Sequence, residues 1–302
     1  MKTLSINKIT IAAFAVLFSV ILYSCQKENS LDTSLTVTDE QAATYSDESL
    51  QADASFDDVE DIGMTAATEE SIATAPNGRV NGAERLIPTF EELRLRIGSC
   101  ATITVTPNDS TYPKTITIDF GDGCLCADGK FRKGAIILEL TGPIRRSGSV
   151  LTIKFRDFYL NRAHIEGTKT VTNLSENGNI KFTVQVDGGK VTLPNGRGYQ
   201  YESLRYVKQI EGGTTNFIRD DVFSIEGRAK TVFNGGLTIE LNTETPLIKK
   251  VVCPWISDGI LKIKINDREL SLDYGAPNNG DCDNKALLTW NAGANTRLIV
   301  LP

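Results

Sequence analysis

Histidine is almost missing from this chain: His164 is the only one in 302 residues. Imidazole-based catalysis would need that residue as its base, and it falls in a strand pattern with no serine-centred elbow beside it. A histidine metal centre has no second imidazole to draw on. No glycine-rich loop opens a helix, so the phosphate-cradling motif is absent as well. The longest uncharged apolar run, Ile9 to Leu22, has fourteen residues, short of the roughly twenty that a spanning helix needs. Crossover helices between strands are lacking, which excludes a parallel α/β enzyme. Basic residues are not in excess either. Lys and Arg number 32 against 38 Asp and Glu, so no electrostatic footprint for nucleic acid exists.

What is present begins with an address. Lys2 and Lys8 precede the apolar run, which ends in Leu22-Tyr23-Ser24-Cys25 and is followed at once by Gln26-Lys27-Glu28-Asn29. The length and flanks are those of a signal h-region, and the cysteine resembles the lipidation site of a bacterial lipoprotein. That resemblance implies a signal peptide over residues 1–24 and acylation of Cys25. Each buried CH₂ contributes about 0.8 kcal/mol, so two or more chains hold a protein on a bilayer without further contact. Lys27 stands where an Asp would signal inner-membrane retention, and the resemblance therefore implies the outer membrane. Gln26-Lys27-Glu28 is similar to the short charged export signals of Bacteroidota surface lipoproteins.

From Gln26 to Arg85 there are fourteen acids and three bases, with few large apolar residues. Such composition buries too little apolar surface to offset the entropy of ordering, so residues 25–85 are expected to form a disordered, self-repelling tether. A weak helix around Ser49 to Met64 is its only hint of order. The remainder, residues 86–302, is nearly balanced at 24 acids and 27 bases. Pro88 to Ile97, with acids in the first turn and Gly98 behind, predicts one short opening helix. After it the period is two: Leu151, Ile153 and Phe155 alternate with polar neighbours, as do Phe182, Val184 and Val186, and Leu261, Ile263 and Ile265. Turn chemistry at Asn177-Gly178, Gly188-Gly189, Asn195-Gly196, Asn234-Gly235-Gly236 and Asn266-Asp267 separates the strands. The fold class expected is all-β, an antiparallel meander of about twelve to fifteen strands forming a sandwich or an open half-barrel.

Five cysteines follow Cys25, an odd number. Ile118-Asp119-Phe120-Gly121 before Cys124 is echoed by Leu272-Asp273-Tyr274-Gly275 before Cys282, and each has a further cysteine upstream across a hairpin pattern. The echo pairs Cys100 with Cys124 and Cys253 with Cys282, leaving Cys126 spare. Cys124-Leu125-Cys126 has the wrong spacing for zinc, and no cofactor or metal is expected. Asp119, Asp122, Asp128, Asp273, Asp281 and Asp283 gather at the cysteine turns, where Asp is a default turn residue.

These motifs, together with Glu166-Gly167-Thr168-Lys169-Thr170-Val171-Thr172-Asn173 and Cys282-Asp283-Asn284-Lys285, resemble a widespread group of Bacteroidota envelope lipoproteins. The resemblance runs from Cys100 onward and implies no activity. Cys126 departs from the group's pattern, which leaves open whether Cys124 or Cys126 pairs with Cys100.

Aromatic residues offer a binding hint. Tyr199, Tyr201 and, out of phase, Tyr206 share a strand, and Trp255 sits beside Cys253; exposed, they stack on sugars, and buried, they are core. Asp109-Ser110-Thr111 fits the short O-glycosylation acceptor pattern at Ser110. Three functional readings follow. The first is a lipid-anchored, non-enzymatic envelope module that binds glycan or an envelope protein, the second a carboxylate-based hydrolase acting on glycans, and the third a periplasmic carrier of apolar cargo. The membrane is contacted through the lipid, and nucleic acid is not a partner.

Overall fold

The computed structural model describes residues 37–74, 88–213, 218–276 and 278–301. Thr38–Pro302 form one compact unit. Its frame is a single open sheet of fourteen antiparallel strands: β1 (Thr102–Thr106), β2 (Lys114–Asp119), β3 (Cys124–Leu125), β4 (Phe131–Leu140), β5 (Val150–Leu160), β6 (Ala163–Asn173), β7 (Lys181–Thr192), β8 (Gly198–Glu211), β9 (Val222–Phe233), β10 (Thr238–Lys250), β11 (Asp258–Ile265), β12 (Arg268–Asp273), β13 (Lys285–Trp290) and β14 (Asn295–Val300). Neighbours in the sheet follow chain order, except that the short β3 pairs only with β4. The three alternating runs lie in β5, β7 and β11, and they bury the apolar phase they were expected to bury, with Phe155 only half-buried. The arrangement is the open half-barrel rather than a sandwich.

Both disulfides form as the internal echo requires. Cys100 joins Cys124 and Cys253 joins Cys282, with Cα atoms 5.5 and 5.6 Å apart, and Cys126 is a buried free thiol. The echo extends to hydrogen bonds. Asp119 accepts the N–H of Gly121 and Asp273 that of Gly275. The buried aromatic next to each, Phe120 or Tyr274, donates its N–H to a glycine carbonyl, Gly134 or Gly259. Asp128 and Asp283 bond the N–H two residues on in the same way, the local role that makes Asp a turn residue.

The expected disorder of residues 25–85 is corrected over its middle. Residues 39–74 are a 36-residue helix, α1 (Asp39–Thr74), which carries eleven acids and no base. The expectation for 25–36 and 75–85 lies outside the described residues, as does that for the signal segment and Cys25. The segment's composition hides its order because most of its buried face is small or charged: Ala42, Ser46, Ser49, Ala52, Asp58, Ala66 and Glu70 are buried beside only a few large apolar residues. Phe56, Val59 and Ile62 are wholly inside, each contributing about 1.5–3 kcal/mol. Phe56 stacks on Tyr201, ring centroids 4.9 Å apart and nearly parallel, and meets the edge of Phe155. Gly63 lets the helix approach β4 and β5, since a Cβ there would stand 2.8 Å from Ile153 Cδ1.

The sheet curls around this helix. Lys114 of β2 meets Glu70 near one end of α1, and Arg297 of β14 meets Asp47 near the other. The expected short helix is α2 (Glu91–Ile97), closed by Gly98. Its N-cap residue, Phe90, offers no side-chain cap, and Glu69 of α1 supplies one by accepting the N–H groups of Glu92 and Leu93. A carboxylate at that end satisfies orphan donors and opposes the helix dipole favourably.

Candidate functional site

The concave face of the half-barrel joins an acidic helix to a set of inward-pointing cations. Arg132 of β4 donates to Asp58 at 2.8 Å and grips Asp128 with two parallel bonds of 2.9 and 2.7 Å. Lys169 of β6 meets Glu60 at 2.5 Å and also donates to the Phe56 carbonyl. Arg205 of β8 pairs with Asp53 and Asp57, and the Tyr201 hydroxyl donates to Asp53. Lys114 and Glu70, 3.2 Å apart, are both fully buried.

Burial alone would raise Asp53, Asp57, Asp58 and Glu60, and the neighbouring cations decide the outcome. Arg132, Lys130 and Arg96 outweigh burial at Asp58 and hold it below the usual carboxylate range. Arg205 and Lys169 do the same for Asp57. Burial wins at Asp53 and Glu60, which sit above their usual values. Burial also raises the Cys126 thiol, which makes it a poor nucleophile.

Two adjoining clefts remain along the flank of α1. Asp61, Arg96 and Lys249 line both; Arg96 and Lys249 neutralise Asp61 at 3.2 and 3.5 Å. The first cleft, about 100 Å³, runs beside Asp53 and Asp57 and is walled by Trp255 and Tyr274. The second, about 200 Å³, opens at the end of the half-barrel where β6–β10 connect. Met64 and Thr68 of α1 stand on one wall, Ile144, Phe182, Val207, Phe223 and Val251 supply most of the apolar surface opposite, and Arg96, Arg145, Gln209, Asp221 and Lys249 are among the polar residues between them. Apolar walls with a few convergent polar groups are the usual character of a ligand site. Asp221, almost fully buried, lies at this mouth, accepts a 2.7 Å bond from Gln209, and is raised by burial. A third, shallow depression of about 460 Å³ crosses the outer face of β7–β10 and is polar.

Of the residues singled out in the sequence, Tyr199 and Tyr201 do not face ligand. They are 3% and 1% exposed, facing α1 because they share the inward phase of β8 with Ser203; the stacking expectation for them is corrected to core. Trp255 is half-buried in the first cleft. Tyr206 points outward and is exposed. Ser110 is exposed in the turn between β1 and β2. His164 stacks on Tyr159 and stands 3.6 Å from Glu166 on the sheet. Among the described residues, no group of three or more His, Cys, Asp or Glu is placed to hold a metal ion, and no helix is long and apolar enough to cross a membrane.

Sequence reasoning missed the inward cations. Their signal was legible: Lys114 shares the phase of Ile116 and Ile118, Lys169 that of Val171, and Arg205 that of Tyr201 and Ser203. A cation in the dry phase of a strand demands a buried acid, and the only dense supply of acids was the segment assigned to the tether. Comparison with family models, with curated proteins and with solved structures finds no match for this chain.

Proposed function

We propose that this chain is a lipid-anchored cell-envelope protein, held in the outer membrane by acylated Cys25, that acts as a non-enzymatic binding module. It would then belong with the Bacteroidota lipoproteins whose turn and cysteine motifs it resembles. Support for the anchor is the order of basic start, short apolar run and cysteine. One observation carries the module reading. The concave face is filled by the chain's own helix, and beside it two small clefts stay open, the larger an apolar one of about 200 Å³ at the mouth.

That size argues against bulk apolar cargo, since a dry cavity of roughly 150 Å³ holds no more than a benzene-sized guest. The hydrolase reading is disfavoured by the same network, because Asp53, Asp57, Asp58, Glu60 and Asp61 each face an Arg or Lys within 4.0 Å. A general acid needs a carboxyl free to exchange its proton with substrate.

The test has two arms. In cells given labelled palmitate, the native chain should take up label and sediment with membranes, whereas Cys25→Ala should do neither. Unchanged sedimentation of the variant would remove the anchor. The purified protein should give saturable binding to a member of a glycan array or of a purified envelope-protein panel; cleavage of a glycoside substrate instead would replace the module with the hydrolase.

A further inference from the structure

The mouth cleft has three properties that its packing does not explain. Its walls are apolar, yet it is open, and the strand ends around it carry more exposed apolar side chains: Leu174 after β6, Ile210 in β8, and Val251 and Val252 after β10, with Ile72 one turn beyond Thr68 on α1. Its volume of about 200 Å³ suits one aromatic or branched side chain, slightly more than the benzene that fills a cavity of roughly 150 Å³. Its charge is unbalanced. Three cations, Arg96, Arg145 and Lys249, line it against two acids, Asp61 and Asp221; Arg96 and Lys249 meet Asp61, while exposed Arg145 makes no hydrogen bond or ion pair among the described residues and acts on buried Asp221 through its charge alone.

From these we infer that the mouth is a docking site for a polypeptide partner that inserts one apolar side chain between Phe182, Val207 and Phe223 and sets a carboxylate against Arg145. The inference deepens the binding-module reading and rests on it. A small molecule would fill the cleft but leave the apolar lip wet, whereas a polypeptide covers both, in the usual manner of an anchor residue ringed by water-excluding contacts. Met64 lies 25 residues along α1 from Asp39, about 38 Å at helical rise, so the mouth lies toward the C-terminal end of the helix.

The probes are N-acetyl-L-phenylalanine, its uncharged amide and dodecanoate, titrated into the methyl-labelled protein from Gln26 to Pro302. The N-acetyl-phenylalanine anion should shift the methyl signals of Ile144, Val207 and Val251 with millimolar affinity, about 4 kcal/mol, and bind at least threefold more tightly than the amide. Arg145→Glu, on an exposed residue and checked for an unchanged near-UV spectrum, should reverse that preference. No shift of these methyls up to about 10 mM, or an anion preference that survives Arg145→Glu, would overturn the site. Saturation by dodecanoate at lower concentration than by the aromatic probe would make it a lipid site, and dimerisation lost in Arg145→Glu would make the partner a second copy; either overturns the inference. A glycan or protein from the binding screen whose affinity ignores Arg145→Glu would spare the module reading and remove the mouth.

Discussion

Asp58 shows how one residue ties the helix to the sheet. Its carboxylate is fully buried and shared by Arg132, Lys130 and, at 4.0 Å, Arg96. Asp58→Asn keeps the shape and removes the charge, leaving Arg132 buried with Asp128 alone. Breaking one partner of a buried pair costs about 3–5 kcal/mol, and urea unfolding at neutral pH should show a loss of that order. The pH dependence has a definite sign. The folded pKa of Asp58 lies below its unfolded value of about 3.9, so its contribution is present above that value and is lost as pH falls through the folded one. Asp53 and Glu60 are raised by burial; their share is present below the unfolded values and is lost as pH rises through the folded ones. The stability gap between native protein and Asp58→Asn should therefore close below about pH 4. A gap that stays constant down to pH 3 would mean that lost packing, not lost charge, is the cause.

At the scale of elements, α1 and the two disulfides divide the work of holding the sheet. Taken alone, α1 has poor prospects as a helix, because like charges crowd one another and no base offsets them. Its order comes from the burial of Phe56, Val59 and Ile62 together with the cations of β2, β4, β6 and β8. The disulfides act on the connections between strands. Cys253–Cys282 ties the connection before β11 to the one after β12, across 29 residues. Replacing both cysteines by Ser should cost about 2–4 kcal/mol and speed amide exchange in residues 253–257 and 278–284, while the middle of α1 stays protected. If Ala52 to Ala67 exchanged as fast as those loops, the helix would not be the anchored element described above.

For the whole molecule, the consequence is that no smaller part of Thr38–Pro302 should fold by itself. A chain starting at Leu86 retains every strand but leaves Lys114, Arg132, Lys169 and Arg205 facing an emptied apolar surface. Left open, that apolar face stays in water, and closed on itself it buries unpaired charges; either costs more than a marginally stable fold can offset. That chain should bind a hydrophobic dye and melt without a cooperative transition, whereas one starting at Thr38 should melt sharply. A cooperative melt of the shorter chain within a few degrees of the longer would refute this, and would return residues 39–74 to the role of a tether.

Local physics made much of the β frame legible. Period-two alternation in β5, β7 and β11, the Asn-Gly and Asn-Asp turns, the short helix before Gly98 and the paired Asp-aromatic-Gly turns are each written within a dozen neighbouring residues, and the structure returns them, disulfides included. The phase of Tyr199 and Tyr201 was equally local, but which face was dry depended on what filled the concavity. That was α1, and only the tertiary structure decided it. The partners of its acids lie far along the chain: Arg132 is 74 residues from Asp58, and Tyr201 is 148 from Asp53. A helix stabilised by charges supplied from distant strands has no stripe of apolar residues to betray it. Its composition reads as solvated until the sheet closes around it, because the same carboxylates that repel one another in water become obligatory partners once the cations are buried.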